Sequence, residues 1–105
     1  MPSDRERKEM RNLLKFLFFS SRGGLTRLKV VELLARSQLN ANQISKELGI
    51  DYKTVSHHLD VLVRHRIIVR EGEGYGSTYR ISRDFLPYME ILEELKGSTG
   101  RQRRE

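Results

Sequence analysis

The chain has 105 residues, 37% hydrophobic and 32% charged, with a net charge of +6 and no cysteine. This length holds one domain with a modest core, and the missing cysteines exclude disulfides, thiolate metal sites and thiol nucleophiles. The positive charge and a pI near 10.0 favour a polyanionic partner, while the thin apolar fraction favours burying further surface by oligomerisation.

Residues 3–9, SDRERKE, alternate in charge and open a helix, with Ser3 or Asp4 as its cap. From 10 to 19 the helix becomes apolar on nearly every side: Met10, Leu13, Leu14, Leu17 and Phe18 form one stripe, with Phe16 and Phe19 outside it. A helix apolar all round has to be covered from two directions. In a chain this small the second cover is expected to be another subunit; the alternative is a helix buried wholly within its own chain. The most apolar run, LLKFLFF at 13–19, is far too short to span a bilayer and no small-residue cleavage site follows it. The expected location is therefore cytoplasmic, with no membrane partner.

SSRGG at 20–24 breaks this helix. Residues 25–37 follow a 3.6-residue period, with Leu28, Val31, Leu34 and Ala35 on one face, and form the first helix of a three-helix core. Gln38 and Leu39 add a short strand.

Residues 40–63, NANQISKELGIDYKTVSHHLDVLV, organise the rest. Asn40 caps a helix and Gln43, three residues on, completes a capping box. Ile44 and Leu48 share its buried face, and Gly49 ends it in the left-handed conformation. Asp51 caps the next helix. There, Val55, Leu59 and Leu62 point inward, while Lys53, His57, Asp60 and Arg64 line the opposite side with Ser56 at its edge. A short capped helix, a glycine turn and a second capped helix match a helix-turn-helix whose second helix reads DNA. The plainer alternative is a solvated face on a small helical domain.

Beyond this stretch the period drops to 2. Ile67, Ile68 and Val69 read as one strand and Tyr79-Arg80-Ile81 as another, joined by GEGYGS at 72–77. A hairpin directly after such a helix makes a wing, with Arg70 and Arg80 flanking its tip and Glu71 and Glu73 offsetting them. A hairpin that simply closes the core is the alternative. Residues 82–96 return to helix, with Asp84 as cap and Pro87 tolerated in the first turn. Phe85, Tyr88, Met89, Leu92 and Leu95 form its apolar stripe, read as a second interface. RQRRE at the end is expected to be disordered and to add unspecific electrostatic attraction.

Enzymatic and metal chemistry find little support. His57 and His58 point about 100° apart on a helix, and His58 and His65 are separated by about 10 Å of rise, so no closed site forms. Ser56 lacks a nucleophile elbow, and GEGYGS lacks the lysine and following helix of a phosphate loop. No cofactor is expected. His58 sits beside the buried face, where it orients the helix by a local hydrogen bond; reaching a phosphate is its other reading. His57 is the better candidate to touch a base.

The stretch RLKVVELLARSQLNANQISKELGIDYKTVSHHLDVL, followed by a hairpin ending in YGSTYRIS, resembles the ArsR-type winged helix-turn-helix regulators. It is most similar to the archaeal branch, where RGG-x-TR, DYKTV-x-HHL and a YG-x-x-Y wing occur together. The resemblance covers about residues 20–82 and implies a homodimeric transcription factor with one helix in the major groove. By it, Tyr52, Lys53, Ser56 and His57 fall where the family reads DNA, and 67–81 is the wing. Two departures stand out. Metal-sensing members carry cysteines near the recognition helix, or His and Asp on the terminal helix. This chain has no cysteine and its terminal helix no histidine, so metal-responsive derepression is not carried over. Arg66 also stands where the family commonly has glycine before the first wing strand, a place where a left-handed arginine costs more than glycine.

The expectation is thus a mainly α chain with a small β-hairpin, a winged helix-turn-helix with added terminal helices. One domain, 1–97, comprises an interface helix at 4–19, a core at 25–82 and an interface helix at 84–96, followed by the tail at 98–105. Tyr52, Lys53, Thr54, Ser56, His57, Arg64, Arg70, Tyr75 and Arg80 are the expected contacts to double-stranded DNA. Leu13, Leu14, Phe16, Leu17, Phe18, Tyr88, Leu92 and Leu95 are the expected homodimer contacts. Asp60, Glu71 and Glu73 keep one rival in view, a winged helix serving as a protein–protein module in a larger transcription or repair assembly. RNA binding lacks an aromatic stacking platform, and no small-molecule effector is legible.

Overall fold

The first helix starts where local chemistry puts it. In the computed structural model, Ser3 Oγ accepts from the Glu6 N–H at 3.1 Å, and the Glu6 carboxylate accepts from the Ser3 N–H at 2.9 Å, a reciprocal capping box. The structure describes the backbone of residues 1–104 and the side chains of residues 1–97. The last helix, expected to end at 97–100 before a disordered tail at 98–105, instead continues in the backbone to Arg104, and only residue 105 lies outside the described backbone.

Helix α1 (Asp4–Leu14) passes into a wider π-helical segment, Lys15–Ser20, so the single α-helix expected over 4–19 is two geometries in series. After the glycine turn come α2 (Gly24–Arg36), strand β1 (Leu39–Asn40), α3 (Ala41–Leu48) and α4 (Tyr52–Arg64). Strands β2 (Ile68–Glu71) and β3 (Thr78–Ile81) form the hairpin, and a 3-10 turn at Leu86–Tyr88 leads into α5 (Met89–Arg104). That turn holds Pro87, so α5 begins later than 84; Asp84 instead donates its backbone N–H to Ser82 Oγ.

The antiparallel sheet has the order β1-β3-β2. β1 pairs Leu39 with Tyr79 and Asn40 with Thr78, so the hairpin is anchored to the helical core through its second strand. Leu28, Val31 and Leu34 of α2 bury together with Ile44, Val55, Leu59, Leu62, Ile67 and Ile68. Ala35, expected on that face, is exposed.

The terminal helices lie side by side. Arg7 meets Glu90 at 2.9 Å and Arg11 meets Glu94 at 3.1 Å. Both members step by four residues, so α1 and α5 run in the same direction. Lys96 joins α5 to α2 through Glu32 at 2.6 Å. Leu14, Leu17, Phe18, Leu92 and Leu95, expected between subunits, are buried within the chain itself, as is Ile91, which the sequence reading passed over. Phe16 is 59% exposed, and Leu13 and Tyr88 are half-buried.

Candidate nucleic-acid interface

Asn40 and Gln43 make the predicted box: Asn40 Oδ1 accepts from Gln43 N–H and Gln43 Oε1 from Asn40 N–H, each at 2.8 Å. Gly49 ends α3 at φ 67°, and Ser45 closes the turn by donating its hydroxyl to the Ile50 carbonyl. Asp51 then accepts from the Thr54 N–H at 3.0 Å and from the Thr54 hydroxyl at 2.8 Å. These bonds hold the Asp51 carboxyl below the ordinary range. Thr54, expected as a DNA contact, thus spends its hydroxyl proton on the cap.

Val55, His58, Leu59 and Leu62 are the buried side of α4. Tyr52, Lys53, His57, Asp60 and Arg64 are exposed and Ser56 is half-buried. Arg64 stands at the far end of this face, about 16 Å of helical rise from Lys53.

The wing tip closes over the start of α4. Tyr75, 89% exposed, has its ring centroid 6.1 Å from that of Tyr52. Pairing of Arg70 with Tyr79 places both on one face of the sheet. This is the α4 face: burial raises the pKa of the Tyr79 hydroxyl, and Arg70, Asp60 and Tyr52 all lie close enough to act on it. Arg80 pairs with Val69 and turns to the opposite face, because successive side chains alternate. There its Nε meets Glu71 at 3.1 Å, and Gln38 donates to the same carboxylate at 2.7 Å. The structure therefore brings Tyr52, Lys53, Ser56, His57, Arg70 and Tyr75 to one side and leaves Arg80 off it.

Beneath this face lies a residue the sequence reading did not single out. Arg27 is 6% exposed. Its Nε donates to the Leu17 carbonyl at 3.1 Å, its Nη2 to Ser21 Oγ, and its Nη1 lies 3.4 Å from His58 Nδ1. Arginine only donates, so Nδ1 accepts and His58 carries its proton on Nε2. Burial, then Arg27, then His57 hold the His58 pKa below the usual value. His58 thus sits on the inner side of α4 as its first sequence reading had it, but its partner is Arg27 of α2, 31 residues away, rather than a local group.

Among the described residues no three His, Cys, Asp or Glu side chains gather into a metal-ligand set, and no helix is long and apolar enough to cross a membrane.

Comparison with known proteins points the same way as this geometry. Residues 25–69 match the family model described as bacterial regulatory protein, arsR family. The arsenical resistance operon repressor of Staphylococcus xylosus is 28% identical over 82 residues, 78% of this chain and 74% of that protein. Among solved structures, the AntR antimony-specific transcriptional repressor superposes with a TM-score of 0.68 at 25% identity, covering 95% of this chain and 86% of that one. A homodimeric winged helix-turn-helix DNA-binding domain of Mycobacterium bovis gives 0.65 at 20% identity, covering 97% and 93%. HlyU of Vibrio cholerae gives 0.63 at 19%, covering 88% and 95%. The chain is a winged helix-turn-helix protein with an arsR-like central segment.

Proposed function

We propose that this chain is an ArsR-type transcription regulator that binds double-stranded DNA sequence-specifically as a homodimer, with α4 in the major groove. One observation carries the reading: the exposed side of a doubly capped helix-turn-helix and the core-facing side of the wing converge, setting Lys53, Ser56, His57, Arg70 and Tyr75 together. Lys53 contacts phosphate or guanine, Ser56 and His57 read base edges, and Arg64 and Arg70 grip the backbone, a role Arg80 loses by facing away with Glu71. The solved Mycobacterium bovis domain of the same fold is homodimeric, which supports pairing here; we assign that pairing to α1, the π segment and α5, where Phe16 is left exposed. Two copies of α4 then meet successive major grooves about 34 Å apart.

Selection of bound sequences from random duplexes tests this directly. A recovered motif with two-fold symmetry, bound with an affinity that falls steeply as salt rises, is the expected result. Retention of no motif, with equal weak binding to every duplex, would overturn it in favour of a protein–protein module. The acidic wing that kept this rival in view is partly neutralised, since Arg80 and Gln38 occupy Glu71.

A further inference from the structure

An open cleft of about 500 Å³ lies between the glycine turn and the start of α4. Arg22, Lys53 and His57 stand at its rim, and Arg27 and His58 form its floor. Its one acid, Asp51, stays ionised while capping α4 through the Thr54 N–H and hydroxyl, and it makes no ion pair with Arg27. It is outnumbered there by Arg22, Arg27 and Lys53. Arg27 is the unusual part. A guanidinium 6% exposed ordinarily needs a carboxylate, yet its partners here are a carbonyl, a hydroxyl and a neutral imidazole, and no ion pair includes it among the described residues. Its charge is left without a counter-charge just under the surface. The α2 helix also begins at this cleft with Gly23 as N-cap and no side-chain cap, which adds the positive end of its dipole.

The cleft wall is held tightly. A Cβ on Gly23 would come within 2.8 Å of His58 Cε1, and Gly23 has φ 80°, so only glycine lets the turn close down on that ring. Arg22, the residue before this glycine, and Lys53 are both exposed and line the same cleft.

We propose that this cleft takes a backbone phosphate of duplex DNA, with Arg22 and Lys53 clamping it from the rim over the buried charge of Arg27. The inference rests on the reading of the chain as a DNA-binding protein and adds the glycine turn to its contact surface. It gives the protein a hold on the sugar–phosphate backbone at the end of α4 opposite Arg64, so each α4 is registered at both ends. Such a contact contributes affinity and salt dependence without sequence preference.

The test compares wild type, Arg22→Ala and Arg22→Lys on a selected duplex over a series of salt concentrations. Arg22 is exposed, so the substitutions leave the core intact. The slope of log K against log salt is expected to become shallower by about 1 per protomer for Arg22→Ala. Arg22→Lys should restore most of it, and the ranking of duplex sequences should stay the same in all three. An unchanged slope and affinity in Arg22→Ala, with wild type still binding steeply, overturns the clamp alone. A wild type that binds no duplex overturns the underlying reading with it. Inorganic phosphate titrated into DNA-free protein, followed by the ring signals of His57 and His58, separates the two sources of phosphate. Saturation at low millimolar phosphate, together with an unchanged DNA slope in Arg22→Ala, would assign the cleft to a soluble anion and overturn the proposal.

Discussion

Nη1 of Arg27 lies 3.4 Å from Nδ1 of His58, and through this contact the segment that ends the N-terminal helix is tied to α4. The same guanidinium holds the Leu17 carbonyl and the Ser21 hydroxyl. The position of α4 is therefore set from beneath by a side chain of α2 that also fixes the π segment.

That contact has a pH consequence. The His58 pKa is lowered in the fold by burial, by Arg27 and by His57, so the folded state disfavours the charged ring. The stabilisation from keeping it neutral is complete above the ordinary value of 6.5. It is lost as pH falls from there through the lowered folded value, and it stays lost below. Urea unfolding midpoints measured from pH 7.5 to pH 4.5 should fall more steeply for wild type than for His58→Gln. Parallel curves would mean that His58 protonates freely in the fold. Arg27→Met at pH 7.5 should cost about 1–3 kcal/mol, since it leaves buried acceptors unsatisfied.

Gly24 is packed directly against the backbone of the π segment. A Cβ there would sit 2.8 Å from both the carbonyl carbon and oxygen of Phe18. The obstacle is backbone rather than the tip of a flexible side chain, so Gly24→Ala should destabilise by about 1–3 kcal/mol. Thermal unfolding of this variant beside Gly97→Ala, where a Cβ meets open space, separates the clash from the general effect of losing a glycine.

Arg66 has φ 61°, the only described non-glycine residue in the left-handed region. It sits between α4 and β2, where Ile67 returns its N–H to the Leu62 carbonyl at 3.0 Å. The left-handed conformation costs a side-chain-bearing residue about 1–2 kcal/mol, and glycine's greater freedom in the unfolded chain takes back part of that. Arg66→Gly should raise stability by about 0.5–1 kcal/mol and leave the α4 face untouched. A lower melting temperature would show that the arginine side chain makes a compensating interaction.

What could be read from the sequence was local in origin. The Asn40–Gln43 box, the Gly49 stop and the Asp51 cap each depend on residues within three or four positions, whereas the strain at Arg66 was pointed to only by the family resemblance. The face of α4 followed from helical period alone. Arg27 was not legible, because its partners lie 10 residues before it and 31 after it. The π segment was hidden for a related reason: 15–20 has ordinary helical composition, and the tight seat of Gly24 against Phe18 is a tertiary fact. The side of the hairpin on which each arginine falls needed the strand register. That register begins at Ile68, one residue after the apolar run starts.

The register predicts different roles for the two wing arginines. Arg70 shares the α4 face with Tyr79, whereas Arg80 is held to Glu71 on the other face. Arg70→Ala should weaken duplex binding and lower its salt slope by about 1 per protomer. Arg80→Ala should leave both within error and cost at most about 1 kcal/mol of stability, as exposed ion pairs do. Equal losses of affinity in the two variants would mean that the wing turns on the duplex.

Phe16 separates association from folding. Leu14, Leu17 and Phe18 are covered within one chain, so truncating residues 1–19 would remove core and confound any reading of the dimer. Phe16 is different: 59% exposed on the same segment, it can take a charge without unfolding the protomer, yet an apolar contact there would be lost on pairing. Phe16→Glu should give a folded monomer on sizing with the helical signal of wild type. Its duplex affinity should drop by at least tenfold, because a single α4 with a modestly basic face loses the gain of a linked second site. Leu17→Ala, by contrast, should lower stability by about 2–5 kcal/mol through a core cavity. A Phe16→Glu protein that remains dimeric would move the interface off the π segment and onto another surface of the chain.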